Sequence, residues 1–177
     1  MILAEEILEK AKKVKALLTD VDGVLTDGRI IYDSDGRELK FFHVRDGHGI
    51  KLLVSNGVEV GIITGRNSSI VNKRAKELGI SYVIQNAHDK GKIIDDFLKE
   101  RGFRSEEICY VGDDIVDLPV FMKVGLRITV PDAPIEVQKY ADYITLNYPG
   151  RGAVREVCEI ILRAKGLWDK IIKNYLR

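Results

Sequence analysis

The sequence predicts an α/β protein built on a mostly parallel, doubly wound sheet. Short apolar, β-branched runs alternate with segments of helical periodicity from Leu17 to Leu146, the pattern of strands covered by helices on both faces. Residues able to do chemistry recur at the carboxyl ends of those runs, where doubly wound sheets collect their ligands. The 177 residues suffice for one well-cored domain, 1–177, and are too few for two of ordinary size.

The elements follow in order. "MILAEEILEKAKKVK" has helically spaced apolar positions and early glutamates, which makes it an amphipathic helix and not a signal peptide. "VKALLTDVD" is the first strand. "RIIYDSDGRELKFFHV" holds two β-rich runs around Asp35-Gly36, a strong hairpin signal, and predicts a hairpin flap at about 29–44. A helix near Ile50–Ser55 precedes the strand "VEVGIITG", and a helix running through Arg74–Leu78 precedes the short strand "SYVIQ". A helix over about Lys90–Arg101 leads to the strand "ICYVGDD". "DLPVFMKVG" reads as helix, "RITV" as strand, "PIEVQKYA" as short helix and "DYITL" as the last strand. "GAVREVCEIILRAKG" and "LWDKIIKNYLR" form a helical tail, about 152–177.

Composition excludes several functions. The net charge of +1 supplies no pull toward nucleic acid or an acidic membrane surface, and no apolar run reaches membrane-spanning length. Cys109 and Cys158 have no CxxC or spaced histidine partner, so the pair reads as buried, reduced thiols. A soluble cytoplasmic protein is the expectation.

The strand ends hold the chemistry. The first ends in Asp20 and Asp22, the next long one in Thr64-Gly65-Arg66, and a later one in Gly112-Asp113-Asp114 with Asp117 a turn beyond; Lys90 opens a helix. Clustered carboxylates need a counter-charge, which a hard divalent cation such as Mg²⁺ supplies. An EF-hand fails, because counting from Asp20 puts Val24 at position 5 and Ile31 at position 12. Phosphoryl transfer to a carboxylate fits better. It needs a nucleophilic Asp, a masked phosphate charge, and a second acid to protonate the leaving alcohol and later activate water.

"DVDGVLTDG", "IITGR", Lys90 and "GDDIVD" resemble, in order, the four motifs of the haloacid dehalogenase (HAD) superfamily. "FFHVRDGHGIKLL", "ITGR" and "GRGAVREVCEIIL" narrow the resemblance to its 3-deoxy-D-manno-octulosonate (KDO) 8-phosphate phosphatase family, from about Leu17 to Gly166. The resemblance implies a Rossmann-like HAD sheet without a cap domain, since only about three dozen residues separate Asp22 from the strand at Val58. It implies Asp20 as nucleophile and Mg²⁺ ligand, and Asp22 as acid/base that lends its backbone carbonyl to the metal. Thr64 and Lys90 would bind the phosphoryl group. Asp113 would ligate directly, with Asp114 and Asp117 supporting the metal from behind or through water.

His43, Val44, Arg45, Asp46 and Gly47, with Lys51, Arg66 and Arg74, match positions lining a sugar-acid site. Lys51 stands where the family usually has arginine, keeping the charge and losing the fork. The implied activity is Mg²⁺-dependent release of phosphate from a phosphorylated sugar acid, through an aspartyl-phosphate, in lipopolysaccharide precursor synthesis. The implied assembly is a homotetramer whose hairpins and C-terminal residues, Arg151 included, cover neighbouring sites. Two alternatives share the motifs: a phosphatase of a nine-carbon sugar acid 9-phosphate, and a non-catalytic assembly domain related to sugar-acid cytidylyltransferases. Asp27 reads as a turn residue before Gly28.

Overall fold

The computed structural model describes residues 4–177. Six parallel strands form the sheet: β1 (Ala16–Thr19), β4 (Glu59–Ile63), β5 (Tyr82–Ile84), β6 (Ile108–Val111), β7 (Leu126–Thr129) and β8 (Tyr143–Ile144). Their order across the sheet is β5-β4-β1-β6-β7-β8. The chain winds from β1 to one edge, then returns past β1 and winds to the other. β1 and β6 therefore flank the point where strand order reverses, the crevice in which such sheets bind ligands. The hairpin strands β2 (Ile31–Tyr32) and β3 (Glu38–Leu39) form a separate antiparallel pair.

Side-chain alternation along each strand feeds two cores. Leu17, Val60, Ile62, Cys109 and Val111 join the core on one face, where α1 (Glu5–Lys13), α2 (Val44–Ser55), α3 (Ser69–Leu78), α7 (Ala153–Ala164) and α8 (Trp168–Tyr175) pack. Ala16, Leu18, Ile63, Ile108 and Tyr110 join the other, under α4 (Lys90–Arg101), α5 (Leu118–Phe121) and α6 (Ile135–Gln138). Strands buried on both faces read as continuous apolar runs, and these do.

Three expectations change. The helix placed near Ile50–Ser55 begins at Val44, so the flap ends earlier than 44 and its paired strands are short. Gly47 and Gly49 lie within this helix although glycine weakens helices. Packing overrides this: a Cβ at Gly47 would lie 2.2 Å from Arg74 Nη2, and one at Gly49 3.1 Å from Cys158 Cβ. A short 3-10 turn, Ser105–Glu107, leads into β6 and went unpredicted.

The C-terminal tail forms two helices, as its periodicity predicts. α7 is a sheet-covering helix with Val154, Val157, Cys158, Ile161 and Leu162 buried. α8 folds back on its own chain: Trp168 and Ile171 are buried, Tyr175 Oη is 2.8 Å from His48 Nε2, and Arg155 and Arg163 lie over the Trp168 ring. The segment that the resemblance sends to a neighbour is thus occupied at home as far as Tyr175.

Candidate active site

Asp20 continues the β1 ladder through its N–H to Val111 O (3.0 Å), so the central strand fixes its position. Its Oδ1 accepts from Val21 N at 2.6 Å, and its Oδ2 accepts from Lys90 Nζ at 2.6 Å. Lys90 is delivered by the first turn of α4, which Asp89 caps by accepting from Lys92 N at 2.9 Å. The same ammonium donates to Asp117 Oδ1 at 2.7 Å, and its side chain is only 2% exposed. Tyr110 Oη also donates to Asp117 Oδ1 (2.6 Å), while Asp117 Oδ2 accepts from Asp113 N at 3.0 Å. Asp117 is fully buried in a short turn after β6.

Carboxylate oxygens of Asp20, Asp113 and Asp117 lie within 4.8 Å of one another. Burial lifts the Asp20 carboxyl above its ordinary range; Lys90 opposes the lift and Asp117 adds to it. Asp113 is pushed up to about 8 by burial first, then by the charges of Asp117 and Asp20. Burial works to lower the Lys90 ammonium, but the two carboxylates outweigh it and hold it charged. Three carboxylates therefore share one ammonium, and the cluster lacks positive charge.

That deficit fits a hard divalent cation with oxygen ligands. Both Asp117 oxygens are committed to Lys90, Tyr110 and backbone N–H groups. Asp20 keeps spare lone pairs, and Asp113 accepts no hydrogen bond from the described residues. These two are the donors open to a metal. Gly23 makes the room: its φ is +85°, and a Cβ there would sit 2.0 Å from Asp113 Oδ2.

Asp22 occupies the same cleft, a space of about 280 Å³ lined also by Asp20, Thr64, Arg66, His88 and Lys90. Thr64, at the end of β4, is buried. Asp22 Oδ1 accepts from Lys40 Nζ, and Arg66 Nε lies 3.7 Å from Oδ2, an atom buried without a hydrogen-bond partner. Glu38 ties the hairpin down, 3.3 Å from Lys40 Nζ and 3.0 Å from Arg66 Nη2; Tyr32 Oη accepts from Arg66 at 3.3 Å. Lys40 and Glu38 escaped sequence reasoning. The available signal was alternation in Glu38-Leu39-Lys40-Phe41, which puts the two charges on one face.

Other expected residues lie elsewhere. Asp46 is buried in the α2–α7 contact and accepts from Arg155 N (2.7 Å) and Gly152 N (3.3 Å), capping α7. His43 Nδ1 lies 3.7 Å from Asp46. Arg74 lies against α2, over the Phe42 ring and 3.2 Å from Glu77, beside Gly47. Val44, Arg45 and Lys51 are exposed on α2, and Arg45 lines a separate opening with His48, Arg151 and Arg155. Asp114 caps its own turn through Ile115 N (2.7 Å), and Asp27 pairs with Arg29 next to it.

Residues 43–125 match the model of the haloacid dehalogenase-like hydrolases. The 3-deoxy-D-manno-octulosonate 8-phosphate phosphatase KdsC of Escherichia coli (strain K12) is 43% identical over 168 residues, covering 95% of this chain and 89% of the relative. The Moraxella catarrhalis enzyme of that name, solved with magnesium, phosphate and KDO, superposes with a TM-score of 0.95 at 44% identity, covering 98% of this chain and 99% of that one. A cobalt-bound Haemophilus influenzae phosphatase gives a TM-score of 0.85 at 42% identity, covering 89% and 92%.

Proposed function

The chain belongs to the haloacid dehalogenase-like hydrolases, within their KDO 8-phosphate phosphatases, and on that premise we propose that it releases phosphate from KDO 8-phosphate with Mg²⁺ as cofactor. The observation that carries the reading is the buried trio Asp20, Lys90 and Asp117, with Asp113 and Asp22 beside it, at the reversal point of the sheet.

Asp20 attacks phosphorus, and a bond from its carboxylate to phosphorus forms as the ester P–O bond breaks. Asp22 gives the departing sugar oxygen its proton, then takes one from the water that hydrolyses the aspartyl-phosphate. Lys90 and Thr64 hold the phosphoryl oxygens. Lys90 also opposes the upward push that burial gives the Asp20 carboxyl, and it aims that carboxylate. Asp20, Asp113 and the Asp22 backbone carbonyl would hold Mg²⁺, which when bound neutralises the charge gathering on the phosphoryl group. Asp117 anchors Lys90, and Asp114 shapes the loop. Arg66 is the arginine that reaches the cleft, and it suits the substrate carboxylate.

The hairpin supports a homotetramer. It is inverted: Glu38 and Lys40 turn inward, whereas Leu39 and Phe41 stand 44% and 61% exposed. Apolar side chains on a charged-inward flap suit burial by another copy. Val44 and Arg45, also exposed, are free to meet that copy. Leu39→Lys with Phe41→Lys should give monomers by light scattering; a parent that is already monomeric and fully active overturns the tetramer. Two free, buried cysteines suit a reducing cytoplasm. Among the described residues no helix is long and apolar enough to cross a membrane.

A phosphate-release assay tests the main reading, using KDO 8-phosphate, nine-carbon sugar acid 9-phosphates and simple sugar phosphates, with Mg²⁺ or chelator. KDO 8-phosphate should be preferred, Mg²⁺ required, and Asp20→Asn folded and inactive. No turnover of any sugar-acid phosphate sinks the proposal. Parent-like activity in Asp20→Asn removes Asp20 as nucleophile.

A further inference from the structure

Lysine side chains are seldom fully buried unless paired. Lys40 comes from the hairpin, outside every stretch that suggested catalysis, yet its side chain is only 2% exposed. Its ammonium meets Asp22 Oδ1 on one side and Glu38 Oε1, at 3.3 Å, on the other. Glu38 is itself held by Arg66 Nη2 at 3.0 Å, so Lys40 is fixed from behind. Asp22 Oδ2 is left buried with no hydrogen-bond partner. An orphaned buried acceptor is costly, about 1–3 kcal/mol, and one kept beside a reaction cleft has a use. With Oδ1 anchored, the carboxyl group cannot exchange its two oxygens by rotating. The unpartnered oxygen is then the one free to give and take a proton.

We propose that Lys40 is a positioning residue for catalysis: by anchoring Asp22 Oδ1, it orients the Asp22 carboxyl so that Oδ2 serves the leaving-group oxygen. The inference rests on the proposed acid/base role of Asp22 and extends it to a side chain supplied by the flap. The proton passes from Asp22 Oδ2 to the oxygen released when the ester P–O bond breaks, and returns from the attacking water. Lys40 itself exchanges nothing. It follows that an undocked hairpin leaves a cleft able to hold phosphate and poor at protonating an alcohol.

The test is leaving-group dependence. Substituted phenyl phosphates graded in leaving-group acidity lack a sugar and a carboxylate, so lost substrate contacts do not enter. In the Mg²⁺-loaded full-length protein, kcat/KM is measured for the parent, Lys40→Met, Lys40→Gln, Lys40→Arg and Asp22→Asn, with a thermal melt of each. Leaving groups that depart readily as anions need no proton. Lys40→Met and Lys40→Gln should therefore fall about 10²-fold on the least acidic leaving group and only a few-fold on the most acidic. The plot of log kcat/KM against leaving-group pKa steepens, and Lys40→Arg, which keeps a donor, returns most of the loss.

A uniform fall across the series in both neutral variants, or no fall, overturns the positioning role and shows structural support or none. If Lys40→Met does not fold, Lys40→Gln carries the comparison, and Lys40→Arg does so if neither folds, since a parent slope alongside a uniform loss refutes it equally. Asp22→Asn separates the two levels. If it fails to steepen the plot, the acid/base reading of Asp22 falls and takes this inference with it. If it steepens while the Lys40 variants do not, only this inference is lost.

Discussion

Replacing Lys90 by methionine tests the electrostatic core of the site. The side chains are of similar length, so the main change is loss of one buried ammonium. That ammonium serves two carboxylates, Asp20 Oδ2 at 2.6 Å and Asp117 Oδ1 at 2.7 Å, and both are buried. Removing one partner of a buried pair costs about 3–5 kcal/mol, because a charge is left without compensation. For a chain of this size, each kcal/mol moves the melting temperature by roughly 2–4 °C. The fall should therefore be roughly 6–20 °C in chelator.

Two further arms sharpen the test. With Asp113 pushed up to about 8 and so counted as protonated in chelator, Asp20 and Asp117 against Lys90 leave the parent cluster at a net −1. Lys90→Met makes it −2, and adding Asp117→Asn restores −1. The double variant should recover part of the loss, giving a coupling of about 1–3 kcal/mol. Saturating Mg²⁺ should narrow the gap, since a second cation then sits among the same carboxylates. Turnover should drop by at least about 10²-fold in every case. Thermal denaturation with and without Mg²⁺ reads all three. A single-variant cost below about 1 kcal/mol, or strictly additive singles, would refute the reasoning.

Gly23→Ala places a methyl group 2.0 Å from Asp113 Oδ2 on backbone at φ +85°. It should cost roughly 1–2 kcal/mol in strain and, by displacing Asp113, raise the Mg²⁺ needed for half-maximal turnover. Asp46→Asn weakens two N–H bonds that cap α7, so the melting temperature should fall by several degrees while KM stays near the parent's; a large KM change with an unchanged melt would point to substrate contact. Burial works to raise the Asp142 carboxyl, but Arg127 and Lys10 outweigh it and hold it below its ordinary value. A depressed folded-state pKa gives stability that is present above the unfolded value, about 3.9, and lost as pH falls through the folded one. In urea titrations, the stability gap between parent and Asp142→Asn should stay flat from about pH 7 to 5 and shrink below about pH 4.

The legible part of the site is the part carried by strand ends. Asp20, Thr64 and Asp113 follow apolar runs of sheet-core character, and parallel topology sends every such end to one edge. Lys90 was legible for a similar reason, because Asp89 and Gly102 bracket its helix locally. Asp46 and Arg74 entered only through the resemblance. Their contacts within this chain are the N-terminus of α7, more than a hundred residues away in sequence, for Asp46, and the face of α2 for Arg74. No spacing in the sequence records those contacts.

The sequence by itself determined the sheet, its alternation with helices and the residues that end its strands, because periodicity and turn chemistry are local. Tertiary structure alone decided where α2 begins, since close approach to Arg74 and α7 outweighs the helix cost of Gly47 and Gly49. It alone buried Asp117 under Lys90. It also chose which face of the hairpin meets the cleft. Alternation puts Glu38 and Lys40 on one side and Leu39 and Phe41 on the other, but only docking against Asp22 and Arg66 turns the charged side inward.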